Sequence, residues 1–192
     1  MEEINIKKKG NSPKENNIFL KKMSDLLTDI CDESKKETNL FYKPLKCFYS
    51  NIPYISIKDY LEHIYKYSKI NSSTIALILI YIDRICNVTK CKLSYYIIHK
   101  LILGAMIIAI KYNEDVFCSL NFYAKLGGIT LNELRNLEVN FISLINFNLF
   151  VSDELFSKYN DYLLSSDNDD DDESDNRDVQ NNKNANNIIN NN

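Results

Sequence analysis

Residues 95–113 read YYIIHKLILGAMIIAIKYN, and this is the stretch that decides the fold. Residues 101–110 within it are apolar on every side of a helix, which is typical of the central helix of a bundle. The apolar run is about half as long as the roughly 20 residues that a bilayer requires, and His99, Lys100 and Lys111 bracket it. We therefore predict a buried core helix and no association with a membrane.

Several further segments carry the apolar spacing of amphipathic helices. They cover residues 15–34, 56–69, 72–87, 119–127, 131–147 and 152–164. Predicted capping residues are Ser56 with Asp59, Ser72 or Ser73, Ser94 for the central helix, Ser119, Thr130 with Glu133, and Ser152. No stretch alternates at period two, and residues 40–53, with their two prolines, are predicted to be extended. The fold class is therefore predicted to be all-α, as a compact orthogonal bundle.

The composition of both chain ends differs from that of this bundle. The formal net charge of the chain is −3, but the segment from Ser166 onward carries eight acidic residues against two basic ones and is then rich in asparagine. Such a segment cannot bury enough apolar surface to offset its ordering entropy. The predicted organisation is a disordered basic N-terminus (1–14), an N-terminal helix and extended linker (15–52), a compact box with a following helix (53–164), and a disordered acidic, asparagine-rich tail (165–192).

Two charged residues interrupt the apolar faces of predicted helices. Glu138 lies within the stripe formed by Leu134, Leu137 and Phe141, and Lys111 stands at the end of the central helix. A charge on an apolar face is costly unless a partner compensates it. The two residues therefore predict either a mutual ion pair inside one domain or a docking point for an outside partner.

Several classes of function are disfavoured by what the sequence lacks. The five cysteines form no C-x-x-C, and His63 and His99 lie at no recognisable ligand spacing from them, so we predict buried reduced thiols, no metal and no cofactor. Neither a nucleophile motif nor a phosphate-binding glycine loop is present, which argues against an enzyme. The weak, dispersed positive charge outside the tail predicts no nucleic-acid binding, and no small-molecule ligand is expected. The charged first residues do not predict a secretory leader, so we expect a nuclear or cytoplasmic protein.

The strings SIKDYLEHIYKYSKI, IYIDR, IAIKYNED, FYAKLGGIT and NLEVNFISLINFNL occur in an order and at spacings that resemble a cyclin box. FYAKLGGIT is similar to a marker of the single-box P-type cyclins, the phosphate-pathway or U-type group. The resemblance covers about residues 53–162. It implies one five-helix box in a non-catalytic regulatory subunit, which forms a heterodimer with a cyclin-dependent serine/threonine protein kinase and activates it by packing on the kinase C-helix. The alternative is an adaptor of cyclin fold that binds a non-kinase protein.

The resemblance also implies which residues meet the kinase. In that family a lysine near the end of the third box helix and a glutamate on the fifth hold the C-helix region, and Lys111 and Glu138 match these positions. The motif match places apolar residues around the pair, namely Ile108, Tyr112, Ile142, Phe147 and Leu149. Ordinary core positions remain an equal alternative for Ile108 and Ile142.

This sequence departs from the mitotic cyclins at two places. Their substrate-docking patch, Met-Arg-Ala-Ile-Leu, aligns with residues 53–57, which are Pro, Tyr, Ile, Ser and Ile here, so that docking function is not expected. The aspartate of IYIDR, Asp83, thereby loses the arginine that pairs with it in the family, and His99 or Lys100 is expected to take that place. Gly127 and Gly128 are expected to end the fourth box helix.

The predicted N-terminal helix has its own place in the resemblance. Cyclins carry a helix before the box that packs across it, and residues 15–34 have the amphipathic stripe required. Side chains predicted to face the box are Ile18, Phe19, Met23, Leu26 and Ile30. We expect this packing in the isolated chain, before any partner binds.

Overall fold

A computed structural model describes residues 13–35, 42–68 and 70–165 of the chain. This part of the chain contains seven α-helices, one short 3₁₀ helix and no strand. The elements are α1 (Pro13–Ser34), the 3₁₀ helix (Lys43–Phe48), α2 (Ile57–Ser68), α3 (Ser72–Thr89), α4 (Ile98–Asn113), α5 (Leu120–Leu126), α6 (Leu131–Leu144) and α7 (Asp153–Leu164). The all-α prediction is confirmed. The two predicted tails fall almost entirely outside the described residues.

Helix α4 is the centre of the bundle, as its all-round apolar sequence predicts. It packs against α2, α3, α6 and the 3₁₀ helix, and every residue from 101 to 110 is buried. Among the described helices α3 alone has the length and apolar composition of a membrane span, and 72% of it is buried inside the bundle. That burial is typical of a core helix.

Most predicted helix starts are confirmed, because the caps that define them are local. Ser119 and Ser152 cap α5 and α7, and Thr130 with Glu133 forms a complete capping box at α6. Two predicted starts are wrong. Asn71, not Ser72 or Ser73, is the N-cap of α3, and α4 begins after a turn in which the Ser94 carbonyl accepts from the backbone of residues 97 and 98.

The stretch before α2 is also less extended than predicted. Lys43–Phe48 forms a 3₁₀ helix with Pro44 in its first turn, where a missing N–H is tolerated. Its apolar side chains Leu45 and Phe48 are fully buried, and Phe48 packs edge-on against Phe141 of α6. Core burial of these two side chains therefore favours a compact turn over an extended strand.

Helix α1 packs against α2, α3 and α7, which confirms the packing predicted for the N-terminal helix. Phe19, Met23 and Leu27 are fully buried, and Ile30 is half-buried. Ile18 is 40% exposed, so the prediction that it faces the box is wrong. Successive residues are rotated by about 100° along a helix, which turns Ile18 away from the stripe that begins at Phe19.

The two glycines after α5 end that helix for different reasons. A Cβ on Gly127 would lie 2.3 Å from Cδ2 of Leu103 on α4, so any larger residue requires Leu103 to shift. Gly128 has open space around it but a φ of +68°, which glycine adopts without a steric penalty. Both confirm the predicted helix-ending pair.

Cysteines in the described residues are all unpaired. Cys31, Cys86 and Cys91 are buried, as predicted, whereas Cys47 is only half-buried. Burial raises the pKa of Cys31 to about 12. Cys118 is exposed on the loop between α4 and α5, so the prediction of a buried thiol is wrong at that position.

Candidate functional site

Lys111 and Glu138 form an ion pair at the rim of the bundle. Lys111 lies in the last turn of α4 and Glu138 in the middle of α6, two helices that pack together. The Lys111 ammonium donates a hydrogen bond to Oε1 of Glu138. Their side chains are 36% and 19% exposed, so each retains contact with solvent. The mutual pair, one of the two predicted alternatives, is therefore present in the isolated chain.

The exposure of this pair decides what it can do chemically. Partly solvated ion pairs contribute only about 0–1 kcal/mol to stability, so opening this one costs little. Glu138 can then accept hydrogen bonds from backbone amides, and Lys111 can donate to carbonyls of an incoming segment. The mutual ion pair in the free chain is therefore compatible with the second alternative, docking of an outside partner.

The apolar residues predicted around the pair divide into three groups by exposure. Phe147 is 69% exposed and Tyr112 48%. Ile142 and Leu149 are half-buried against the core. Ile108 is 3% exposed and is a core residue. Contact of these residues with a partner remains a prediction.

Further exposed apolar side chains occur on the same segments and were missed by sequence reasoning. Val139 follows Glu138 on α6, Phe150 follows Leu149, and Val116 and Phe117 lie on the loop after α4. Large exposed apolar side chains that cluster indicate interaction sites, whereas single ones are ordinary. The sequence pattern could have identified these residues, because they are apolar but fall outside the helical stripes that form the core.

The end of α4 is anchored independently of the ion pair. Oε1 of Glu114 accepts from the backbone N–H of Asn71 at 3.0 Å, and Oε2 accepts from the Asn71 side chain at 2.8 Å. The Thr74 hydroxyl also donates to Glu114. These contacts tie the C-terminal end of α4 to the start of α3, which holds Lys111 and Tyr112 in place.

Asp83 has partners other than those predicted. It is buried on α3, and its Oδ2 accepts from the Tyr159 hydroxyl of α7 at 2.8 Å and from the Asn87 side chain at 3.1 Å. Burial raises the pKa of Asp83 to about 6, although the hydrogen bond from Tyr159 opposes the shift. The prediction of His99 or Lys100 is wrong, because α7 packs on α3 and brings Tyr159 to this position.

The two residues predicted for that role have other partners. Nε2 of His99 lies 3.1 Å from the Ile55 carbonyl, and the ring packs edge-on against Tyr60. Lys100 donates to the Tyr49 carbonyl at 3.3 Å and lies 3.8 Å from Glu133. They line a cleft of about 590 Å³ that also includes Pro53 and both glycines after α5. Tyr54, at the position of the family arginine, is fully exposed.

Comparison with known proteins identifies relatives for most of this structure. The family model for cyclins matches residues 12–149. The chain is 37% identical over 109 residues to Cyclin-U2-1 of Arabidopsis thaliana, covering 56% of this chain and 49% of that protein. It is 39% identical over 117 residues to the PHO85 cyclin-like protein psl1 of Schizosaccharomyces pombe, covering 60% and 48%.

A third relative aligns over more of the chain. PHO85 cyclin-7 of Saccharomyces cerevisiae is 34% identical over 160 residues, covering 76% of this chain and 56% of that protein. The chain thus spans about half the length of the curated relatives that it matches. These relatives are of the U type and the PHO85 type, the group indicated by the FYAKLGGIT motif.

Proposed function

This chain belongs to the cyclin family, and we propose that it is a regulatory subunit that binds and activates a cyclin-dependent serine/threonine kinase. Two of its relatives are named as PHO85 cyclins or as similar to them, which supports a kinase partner. The chain supplies binding energy and no chemistry of its own. The kinase carries the catalytic residues.

The observation that carries the proposal is the partly exposed Lys111–Glu138 pair, together with exposed aromatic side chains on the two segments that carry it. Tyr112 follows Lys111 directly and is half-exposed, and Phe147 lies in the segment that follows the helix carrying Glu138. An ion pair on segments that also carry exposed aromatic residues combines apolar contact area with charges that select a complementary partner. Such a surface suits a helix that has apolar side chains and free backbone groups at its end.

Activation follows from differential binding to two kinase conformations. A kinase C-helix that swings between an outward and an inward position presents two different surfaces, and only a ligand that prefers one can shift the equilibrium. In the inward state the C-helix glutamate pairs with the lysine that positions ATP. We propose that Lys111, Glu138 and the apolar residues around them bind the inward state better.

The test exchanges the two charges while keeping the ion pair. A purified cyclin-dependent kinase is titrated with the wild-type chain and with the double variant Lys111→Glu/Glu138→Lys, and phosphotransfer to a peptide is measured. The wild-type chain stimulates phosphotransfer, and the exchanged chain requires a concentration higher by more than about tenfold, because both charges now oppose their partner groups. Thermal unfolding of both chains controls for the unfavourable charge at the α4 C-terminus.

Three outcomes separate the possibilities. Loss of activation with unchanged melting supports the kinase-docking surface. Equal activation by both chains would show that the pair is only structural. A wild-type chain that neither binds the kinase nor stimulates phosphotransfer would favour the alternative, an adaptor of cyclin fold that binds a non-kinase protein.

A further inference from the structure

The segment that follows α6 is held by α3 at three consecutive carbonyl groups. The Tyr81 hydroxyl donates to the Leu149 carbonyl at 3.0 Å. Arg84 donates from Nη1 to the Asn148 carbonyl and from Nη2 to the Phe150 carbonyl, the latter at 3.1 Å. Donors and acceptors are 64 to 68 positions apart in sequence, so these contacts exist only in the folded chain.

Tyr81 and Arg84 act as one unit on α3. They are three residues apart and so share a helix face. The Arg84 guanidinium carbon lies 5.7 Å from the centroid of the fully buried Tyr81 ring, which is within range of a cation–π contact. A guanidinium presents its donors in a fixed planar fork and so holds two carbonyls in one geometry, whereas the three donors of a lysine ammonium rotate on a flexible stem.

The held segment has an unusual backbone that displays aromatic side chains. Asn146 and Phe147 have φ values of 51° and 57°, in the left-handed region that non-glycine residues rarely adopt. After them the side chains alternate, since Leu149 and Val151 pack against the core. Phe147 and Phe150 are exposed.

The carbonyls of this segment do not require α3 in order to be hydrogen-bonded. Asn148 and Phe150 are exposed residues, so water can donate to their carbonyls in place of Arg84. Hydrogen bonds to three consecutive carbonyls, those of residues 148–150, instead fix one backbone conformation of this segment. The contacts therefore determine where the aromatic side chains point.

We infer that Tyr81 and Arg84 are positioning residues, which hold residues 147–150 so that Phe147 and Phe150 are presented to the kinase. This rests on the proposed function and extends it to two residues that act through others. By holding residues 147–150 in one conformation in the free chain, they lower the entropy cost of ordering this segment when the partner binds.

The experiment uses the full chain with Arg84→Met, Arg84→Lys and Tyr81→Phe, and with Arg135→Met as the matched control on the exposed face of α6. Each is titrated into a purified cyclin-dependent kinase, and half-saturation and maximal phosphotransfer are measured separately. Hydrogen exchange of residues 145–151 is followed in the free chain. Thermal unfolding shows that each variant is folded.

Arg84→Met raises the half-saturating concentration by about tenfold, as expected for two lost charge-assisted hydrogen bonds, with maximal phosphotransfer unchanged. Exchange in residues 145–151 becomes faster, and Arg135→Met alters neither quantity. Arg84→Lys does not restore binding, because a rotating ammonium on a flexible stem does not fix the two carbonyls in one geometry. In a Phe147→Ala/Phe150→Ala chain, Arg84→Met adds less than about twofold, since there is little left to position.

Each contrary result has a separate meaning. Full binding by Arg84→Lys would show that only a charge is required, and would overturn the positioning role. The positioning role would also be overturned if Arg84→Met left hydrogen exchange of residues 145–151 unchanged. It would be overturned as well if Arg84→Met raised the half-saturating concentration as much in the Phe147→Ala/Phe150→Ala chain as in the wild-type chain. Unchanged kinase activation by the Phe147→Ala/Phe150→Ala chain itself would overturn the proposed function at this surface.

Discussion

Asp83 and Glu138 are both carboxylates on helices of the bundle, yet their surroundings are opposite. Asp83 is 4% exposed and accepts from neutral donors, the Tyr159 hydroxyl and the Asn87 amide. Glu138 is 19% exposed and pairs with a cation, Lys111, at the rim. Asp83 joins α3 to α7 within the chain, whereas the pair of Glu138 can open towards solvent.

The difference shows how a fold separates stability from recognition. A buried carboxylate that loses a donor leaves an unsatisfied group and costs stability. A carboxylate at the rim can regain water, so its loss is felt mainly when a partner has excluded that water. Substitutions on the buried side should therefore change unfolding, and those at the rim should change association.

The largest expected effect is on association, at the rim. Glu138→Ala is expected to weaken kinase binding by about 2–5 kcal/mol, because it removes one side of a polar contact that becomes desolvated in the complex. Melting of the free chain should change little. The matched control is Glu62→Ala, an exposed glutamate on α2. Binding that is equal for both variants would remove Glu138 from the interface.

A comparable effect on stability is expected on the buried side, at α1. Leu27→Ala should lower the free energy of unfolding by about 2–5 kcal/mol, because Leu27 is fully buried and the substitution leaves a cavity. Ile18→Ala on the same helix should cost much less, since that side chain is 40% exposed. Denaturant titration measures both. If Leu27→Ala weakened kinase binding at temperatures where it is folded, the separation of the two sides would be wrong.

Tyr159→Phe isolates the contact between α3 and α7. Removing only the hydroxyl leaves Asp83 with Asn87 as its remaining side-chain donor among the contacts described above, which should cost about 1–3 kcal/mol of stability. The affinity for a kinase should stay the same, because Tyr159 is buried away from solvent. Urea denaturation with a parallel kinase titration tests this expectation. An unchanged unfolding midpoint would mean that Asp83 finds another donor.

An effect of similar size is a dependence of stability on pH. Burial raises the pKa of Asp83 from 3.8 to about 6, so between these values the folded chain binds this proton more than the unfolded chain does. The resulting contribution to stability is complete below about pH 4 and is lost as the pH rises through about 6, a change of about 1–3 kcal/mol. The Asp83→Asn variant should lack this pH-dependent contribution to stability. Denaturation of both chains at several pH values gives the difference directly, and parallel curves would contradict the raised pKa.

Local chemistry explains which parts of the fold could be predicted. Three helix starts could be predicted because their caps form hydrogen bonds within three residues. These caps are Ser119, Ser152, and Thr130 with Glu133. Asn71 was missed as a cap because its side chain bonds Glu114, 43 residues away, and does not cap its own helix. The error at the start of α3 thus occurs where a distant partner competes with a local one.

The candidate site divides in the same way. That Lys111 and Glu138 interrupt apolar faces is a property of the sequence, because helical periodicity alone places each side chain on its stripe. Whether they pair, and how much water they retain, depends on the packing of α4 against α6. Sequence order equally placed Phe147 at a helix end but contained no sign that Arg84 would hold the carbonyls that follow it.

By itself the sequence determined the helical class, the apolar central helix, the local caps and the two intruding charges, since each depends on residues within a few turns of one another. Only the tertiary structure decided that Tyr159 is the partner of Asp83, that Ile108 is core while Phe147 is surface, and that α3 supports residues 148–150. These contacts join positions more than 60 residues apart. Their free energy exists only after the helices have packed, so no local pattern of residues encodes it.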